Sequence, residues 1–358
     1  MHITELPIVY VEAADLKAWV TRVFMRVSVP DDDAAVAADV LLSASLRGVD
    51  THGVLHLADF YIRPLRSGDT NPRPDIRAER LGPGTVLVDG DNGLGMVVAA
   101  RAMREAIQLA REAGVAVAGV RRSNHFGAAA YYAQMASAAG MIGLAFTNTS
   151  PAIAPWGSLT PYLGTNPLAF AAPGGIEGGI VLDMATSQVA WGKVDLAARM
   201  GQKIPLGWAT DREGRPTEDP VEALSGLMLP LGGYKGYGLA LMVEVLCAAL
   251  TGAAFGPHLV DPASQSEQNV GHFFAAIDVE RFMPLEQFKA RMKQLVDEIH
   301  ACPPAEGVER IYVPGEIELE TALQRQREGI PLTAEQVAEL AQMGEELSVP
   351  RLITRISG

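Results

Sequence analysis

Two histidines four residues apart, His52 and His56, stand in the stretch Arg47-Gly48-Val49-Asp50-Thr51-His52-Gly53-Val54-Leu55-His56-Leu57-Ala58-Asp59-Phe60. On a helix, positions i and i+4 share a face, so the two imidazoles could address one ligand. Three chemistries compete. In the first, the histidines merely finish a helical face, although a flanked pair weighs against that. In the second they hold a metal ion, since this is zinc-ligand spacing. The zincin pattern needs Glu directly after the first His, and Gly53 there rules out that peptidase. Asp50 or Asp59 could still complete the site of a metal-dependent hydrolase or lyase with His52 and His56. In the third, His52 is a general acid–base, because imidazole titrates near pH ~6.5 and can both give and take a proton. Thr51 would orient it, and Gly53 would leave room for a ligand. The stretch alone leaves all three open.

The elements around it set the frame. Residues 11–28 predict a helix with Leu16, Trp19, Val20, Val23 and Phe24 on one face. After Val29-Pro30, Asp31 to Asp33 open a second helix, whose apolar positions Val36, Val40, Leu41 and Ala44 lead into the histidines. Pro64, Gly68, Pro72 and Pro74 then read as linker, which places a domain boundary near residue 75. Beyond it strands and helices alternate. Strands are expected at 85–89, 115–120, 142–147 and 271–278, and helices at 96–113, through Ala139, and at 284–299. Residues 200–230, rich in Gly and Pro, look like a long surface excursion. Residues 311–316 read as a strand ending in a tight turn. The tail, 333–347, is an amphipathic helix with Thr333 as N-cap and Gln336 as its capping-box partner. Its texture matches residues 1–60, so it is expected to pack back onto them.

Bulk properties narrow the classes. The chain has 358 residues, 48% of them apolar and 20% charged, which is globular composition for one large or two ordinary domains. A net charge of -13 argues against a nucleic-acid partner, which would need a basic face. Cys247 and Cys302 stand far apart and outside any CxxC pattern, which fits a reducing cytoplasm and no disulfide framework. The start, Met1-His2-Ile3-Thr4-Glu5, lacks the basic-then-apolar order of a signal peptide. The apolar run 238–255 carries Glu244 at its middle and reads as a buried core helix, not a membrane span.

Several polar, Gly- and Pro-rich loops each close an apolar run. They include Ser123-Asn124-His125-Phe126-Gly127, Asn148-Thr149-Ser150-Pro151, Gly164-Thr165-Asn166-Pro167 and Leu182-Asp183-Met184-Ala185-Thr186-Ser187. Any one could be turn or capping chemistry. So many in one domain point to a shared cleft. Lys235, in Gly232-Gly233-Tyr234-Lys235-Gly236, sits at a helix start suited to a phosphate or carboxylate. A standard dinucleotide fold is disfavoured, since no G-x-G-x-x-G lies between a strand and a helix and no GxxxxGK[ST] loop is present. Gly90, Gly93 and Gly95 have the wrong spacing and fall in a hairpin-like turn.

Together with Arg47-Gly48-x-Asp50-x-His52-Gly53 and Pro314-Gly315-Glu316, these loops occur in one order over nearly the whole chain. On them the chain resembles the malate/L-lactate dehydrogenase family of non-Rossmann NAD(P)-dependent oxidoreductases. The resemblance implies an α+β fold with a helical domain from both chain ends, 1–75 with 318–358. It implies a central domain, 76–317, whose largely antiparallel sheet binds NAD or NADP, and a homodimer. It further implies hydride transfer to or from a 2-hydroxy or 2-keto acid, a related carbonyl or a cyclic imine. His52 matches the proton donor/acceptor, Thr51 the hydroxyl residue beside it, and His125 a position that some members use in catalysis. Thr165 matches a substrate contact. Asp183, Met184, Ala185, Thr149, Lys235, Gly315 and Glu316 match cofactor-binding positions. Two residues depart from the family's habit on the substrate side. His56 stands where Arg is common, and Phe60 stands where Tyr is common.

Overall fold

In the computed structural model, residues 8–260 and 267–356 are described. The chain start, on which the expectation of no signal peptide rests, lies outside the described residues. Seven strands form the main sheet in the order Arg77–Gly82, Thr85–Asp89, Val115–Ser123, Val270–Asp278, Met141–Thr147, Leu168–Ala172, Ile180–Met184. Every neighbouring pair is antiparallel except Thr85–Asp89 with Val115–Ser123, which is parallel. A parallel pair needs a crossover, and the helix Gly95–Ala113 provides it. The glycines at 90, 93 and 95 therefore sit in a strand-to-helix turn, not in a hairpin.

Alternation along the central strand sets the layers. Phe274 belongs to the main core with Met103, Ala106 and Tyr132, from the helices Gly95–Ala113 and Ala130–Ala138. Its neighbour Phe273 packs with Val243 and Cys247 on the opposite face. Those two come from the helix Tyr234–Glu244 and the π-helical turn Val245–Ala249 that continues it. The apolar run 238–255 predicts a buried core helix. It is buried along one side only, and Leu241, Val245 and Leu250 are exposed on the other. Among the described residues no helix is long and apolar enough to cross a membrane.

The two chain ends meet. Ile8–Val11 pairs with Ile330–Thr333 on one side and Arg355–Ile356 on the other, so the end unit contains a three-stranded sheet as well as helices. The Thr333–Gln336 capping box forms as expected. The tail helix Ala334–Glu346 returns to the first helix, Ala13–Arg26, where Trp19 donates to the Pro350 carbonyl at 3.0 Å. The main core is continuous from these end helices into Gly95–Ala113 and the sheet.

One strand has no counterpart in the sequence reading, and two further expectations are corrected. Arg77–Gly82 is a strand without apolar alternation, and its charged residues suit an exposed sheet edge. Residues 311–316 are not a strand, and the chain there runs irregularly into the helix Glu316–Glu328. Residues 200–230 are not a bare excursion. With Ile153, Val189 and Val194, they build a small core of their own from Ile204, Ala209, Ala223 and Met228.

Candidate active site

The helix Asp31–Leu46 ends before the histidines, and the chain beyond it is not α-helical. Asp50–His52 and Val54–His56 are separate 3₁₀ turns, with Gly53 extended between them, and Leu57–Ile62 is a π-helical turn. The i, i+4 argument therefore fails for His52 and His56. Gly53 does not leave room for a ligand either, because a Cβ there would run into the Ser45 hydroxyl.

His52 instead meets His125. Their rings stack with centroids 5.9 Å apart and planes 21° apart. Thr51 Oγ1 lies 3.1 Å from His52 Nδ1, as its expected orienting role requires. His125 Nδ1 lies 2.7 Å from the Tyr61 hydroxyl and accepts from the Gly127 N–H at 3.4 Å. His56 stacks on Phe60 at 4.5 Å, and Phe60 turns its ring edge-on to His125 at 5.1 Å. Burial is the first cause that lowers each imidazole. His52 is pushed down to about 4, with His56 adding to the effect. His125 falls well below its usual value, with His52, His56 and His272 adding to it. His56 is lowered by burial and then by Arg199. At neutral pH all three rings are uncharged.

Asp50 could not join them as a metal ligand. Both of its carboxylate oxygens accept from Arg325, at 2.6 and 2.9 Å. Among the described residues no group of three or more His, Cys, Asp or Glu is arranged to hold a metal. The metal-dependent hydrolase or lyase built on His52, His56 and Asp50 loses its carboxylate.

The remaining loops converge nearby. Asp183, at the end of the edge strand Ile180–Met184, accepts from the Ala130 N–H at 2.7 Å and feels Arg47. Burial raises its carboxyl to about 6, while Ala130 and Arg47 oppose the rise. Met184 and Ala185 continue this edge, and Met184 pairs with Leu168. Thr149 Oγ1 accepts from the Thr165 N–H at 3.0 Å, and the Thr165 carbonyl accepts from the Thr186 N–H and hydroxyl, both at 2.8 Å. Thr186 in turn accepts from the Leu231 N–H at 2.9 Å, at the entry to the helix that carries Lys235. Lys235 is exposed and has no hydrogen-bond or ion-pair partner among the described residues. Gly315, at φ +91°, lies against Val181, with an added Cβ 2.9 Å from that backbone. Glu316 points elsewhere, since its carboxylate is taken by His300, Arg310 and the Val313 N–H.

The sequence reading missed four residues that hold this arrangement. Arg325 and Tyr61 have been met above. His272, fully buried, bridges Thr147 Oγ1 at 2.8 Å and Ser123 Oγ at 2.9 Å and stacks on Phe126, so it fixes the loop that carries His125. Glu244, 5% exposed, accepts from Asn148 at 3.2 Å, Asn166 at 2.6 Å and the Gly256 N–H at 2.8 Å. For Glu244 a signal was present: a carboxylate inside an apolar helix is buried only if donors meet it. Both asparagines belong to the site loops, so this one carboxylate ties those loops to the helix.

The stacked imidazole pair, the linked threonines of the loops and Lys235 at a helix start are the candidate groups of the site. The chain belongs to the malate/L-lactate dehydrogenase family, whose profile matches residues 11–341. It is 42% identical over 345 residues to malate dehydrogenase of Pyrococcus horikoshii, covering 94% of this chain and 95% of that protein. The solved structure of that enzyme superposes with a TM-score of 0.89 at 39% identity, over 96% of this chain and 97% of the other. Ureidoglycolate dehydrogenase (NAD(+)) of Escherichia coli is 38% identical over 80% of this chain and 81% of its own length. A (2R)-3-sulfolactate dehydrogenase (NADP(+)) of Chromohalobacter salexigens is 40% identical, over 76% and 82%.

The geometry makes Glu244 testable. Glu244→Ala would leave the Gly256 N–H unpaired and take one of two acceptors from each of the Asn148 and Asn166 amides, which keep the Ala254 and Ala240 carbonyls. A buried donor left unpaired costs about 1–3 kcal/mol. We expect a loss of about 1–3 kcal/mol of stability in denaturant unfolding, whereas a loss under about 0.5 kcal/mol would show that the loops stand without it.

Proposed function

We propose that this chain is an NAD(P)-dependent dehydrogenase that interconverts a 2-hydroxy acid and its 2-keto acid, with His52 exchanging the hydroxyl proton. The observation that carries this reading is the stacked His52–His125 pair, in which neither Nε2 atom has a hydrogen-bond partner among the described residues. Family membership and the named relatives support the oxidoreductase class and the cofactor.

The residues present fit a dinucleotide. Lys235 is an unpaired cation at a helix start, suited to a phosphate. Thr149, Met184, Ala185 and Gly315 offer hydroxyl, backbone and a close-fitting glycine, and Asp183 a carboxylate softened by burial. Glu316 contributes by holding the Gly315 turn, since its carboxylate is already engaged. When bound, the nicotinamide supplies or accepts the hydride. In the oxidative direction His52 accepts the hydroxyl proton; in the reductive direction it returns it. Thr165 faces the substrate beside Thr149. The unit of residues 1–75 with 318–358 would close on 76–317 and exclude water from the reactants. The apolar face of Leu241, Val245 and Leu250 suits a homodimer, and two unpaired cysteines suit a reducing cytoplasm.

Three outcomes test this reading. His52→Ala should lower kcat by about 10²–10⁴ while cofactor affinity holds, and wild-type turnover in that variant would remove His52 from the mechanism. Because the lowered pKa keeps His52 in its basic form down to about 4, kcat/KM for oxidation should carry no limb above that of the Asp183 carboxyl at about 6; a limb near ~6.5 that survives in Asp183→Asn would mean an ordinary, solvated histidine. Lys235→Ala should weaken NAD(P)H binding by about 1–3 kcal/mol in fluorescence titration, and unchanged affinity would make Lys235 a bystander.

His56 decides how the substrate is held. Lowered by burial and Arg199, it is neutral at working pH and binds by hydrogen bonding, not by charge. KM for the hydroxy acid should therefore be flat between pH 6 and 8. His56→Arg, which would place a second cation beside Arg199, should reduce kcat/KM about tenfold or more. A KM that rises with pH, together with improvement by His56→Arg, would show an ionic clamp at this position.

A further inference from the structure

Resting on the dehydrogenase reading, we propose that Tyr61 is a positioning residue that locks His125 as its Nε2–H tautomer. His125 then offers a fixed hydrogen-bond donor to the substrate oxygen, while His52 alone exchanges the proton. Two contacts converge on His125 Nδ1: the Tyr61 hydroxyl at 2.7 Å and the Gly127 N–H at 3.4 Å. A backbone N–H can only donate, but at 3.4 Å it biases Nδ1 toward acceptor only weakly, so the 2.7 Å contact from Tyr61 decides the tautomer. Tyr61 is 2% exposed and its hydroxyl has no other partner among the described residues, so accepting from His125 would leave a buried O–H unpaired. Burial also raises the phenol above its ordinary value, so it keeps the proton it donates. The proton on His125 therefore sits on Nε2, the nitrogen left open beside His52.

The backbone explains how Tyr61 reaches this position. Leu57–Ile62 is a π-helical turn, a local widening often found at functional sites. It lets consecutive rings part company. Phe60 lies over His56 and edge-on to His125, while Tyr61 turns inward against Phe24 at 6.4 Å. In the oxidative direction the hydroxyl proton passes to His52 and the hydride leaves carbon for the nicotinamide. His125 keeps its proton throughout and holds the oxygen in place as the carbonyl forms.

The test uses ¹⁵N-histidine-labelled full-length protein without ligand, with the His125 resonances assigned by their loss in His125→Gln. Wild type should show a protonated Nε2 and a bare Nδ1 at His125, and a protonated Nδ1 would overturn the proposal. Tyr61→Phe keeps the ring and its packing but removes the donor. It should give a mixture of tautomers and lower kcat about tenfold, with KM for NAD(P)⁺ unchanged. Undiminished kcat with a single retained tautomer would also overturn it. If wild type has the Nε2–H form but turns over no hydroxy acid with either dinucleotide, the dehydrogenase reading fails while the Tyr61 assignment stands.

Discussion

The aim of His52 depends on a guanidinium from the far end of the chain. Arg325, in the last turn of Glu316–Glu328, donates to both oxygens of Asp50 and to the Ser45 carbonyl. A planar fork matched to a carboxylate fixes direction as well as distance. Asp50 begins the 3₁₀ turn that ends at His52, so the pair sets where the helix Asp31–Leu46 stops and how Thr51 and His52 leave it. That contact requires the chain ends to lie together, which the pairing of Ile8–Val11 with Ile330–Thr333 secures. The site thus rests on closure of the whole chain and not on the local sequence around it.

Within that frame the ionisable groups lining the cleft are displaced toward their neutral forms. Three imidazoles are lowered and Asp183 is raised to about 6, with burial the first cause in each. Such a pattern describes a low-dielectric cleft in which hydrogen bonding and dipoles act strongly. Two stacked rings 5.9 Å apart would repel if both were cations, so neutrality is also what lets them share the space. His272, lowered to about 3 and held at both nitrogens, extends the same condition beneath the loop of His125. The small unit around 187–230 closes the cleft from another side. Gly192, in the helix Trp191–Arg199, lies so close to Thr51 that an added Cβ would come within 3.1 Å of its side chain.

What the sequence made legible follows from what each signal encodes. Apolar periodicity located most helices and strands, because those faces enter the core. It missed Arg77–Gly82, whose residues Arg-Ala-Glu-Arg-Leu-Gly alternate nothing and whose pairing is supplied by its neighbour. Loop chemistry marked residues that do meet: Thr149, Thr165 and Thr186 link into one hydrogen-bonded chain. The helical face expected of His52 and His56 does not form, and His52 stacks instead with His125, brought over by the fold. Arg325, His272 and Tyr61 carried no local sign, because their roles exist only in contacts between distant segments.

The two departures on the substrate side now have a common physical form. An arginine at 56 would bring a permanent charge, but this chain has there a neutral ring laid flat on Phe60 at 4.5 Å and facing Arg199 and Asp195. A tyrosine at 60 would bring a hydroxyl to the substrate wall, whereas here the hydroxyl belongs to Tyr61, buried behind His125. Charge and hydroxyl have both withdrawn from the wall, the first toward the helix Trp191–Arg199 and the second behind an imidazole. The wall that remains is aromatic and uncharged. On the proposed reading, the polar atoms left open to a reacting group would be the two Nε2 atoms, and burial would strengthen their electrostatic effect. On the same reading, an acidic substrate group would meet His56 as a neutral hydrogen-bonding ring and not as a charge. The Thr165 hydroxyl, 3.5 Å from that of Thr149, would be the second polar group able to receive it.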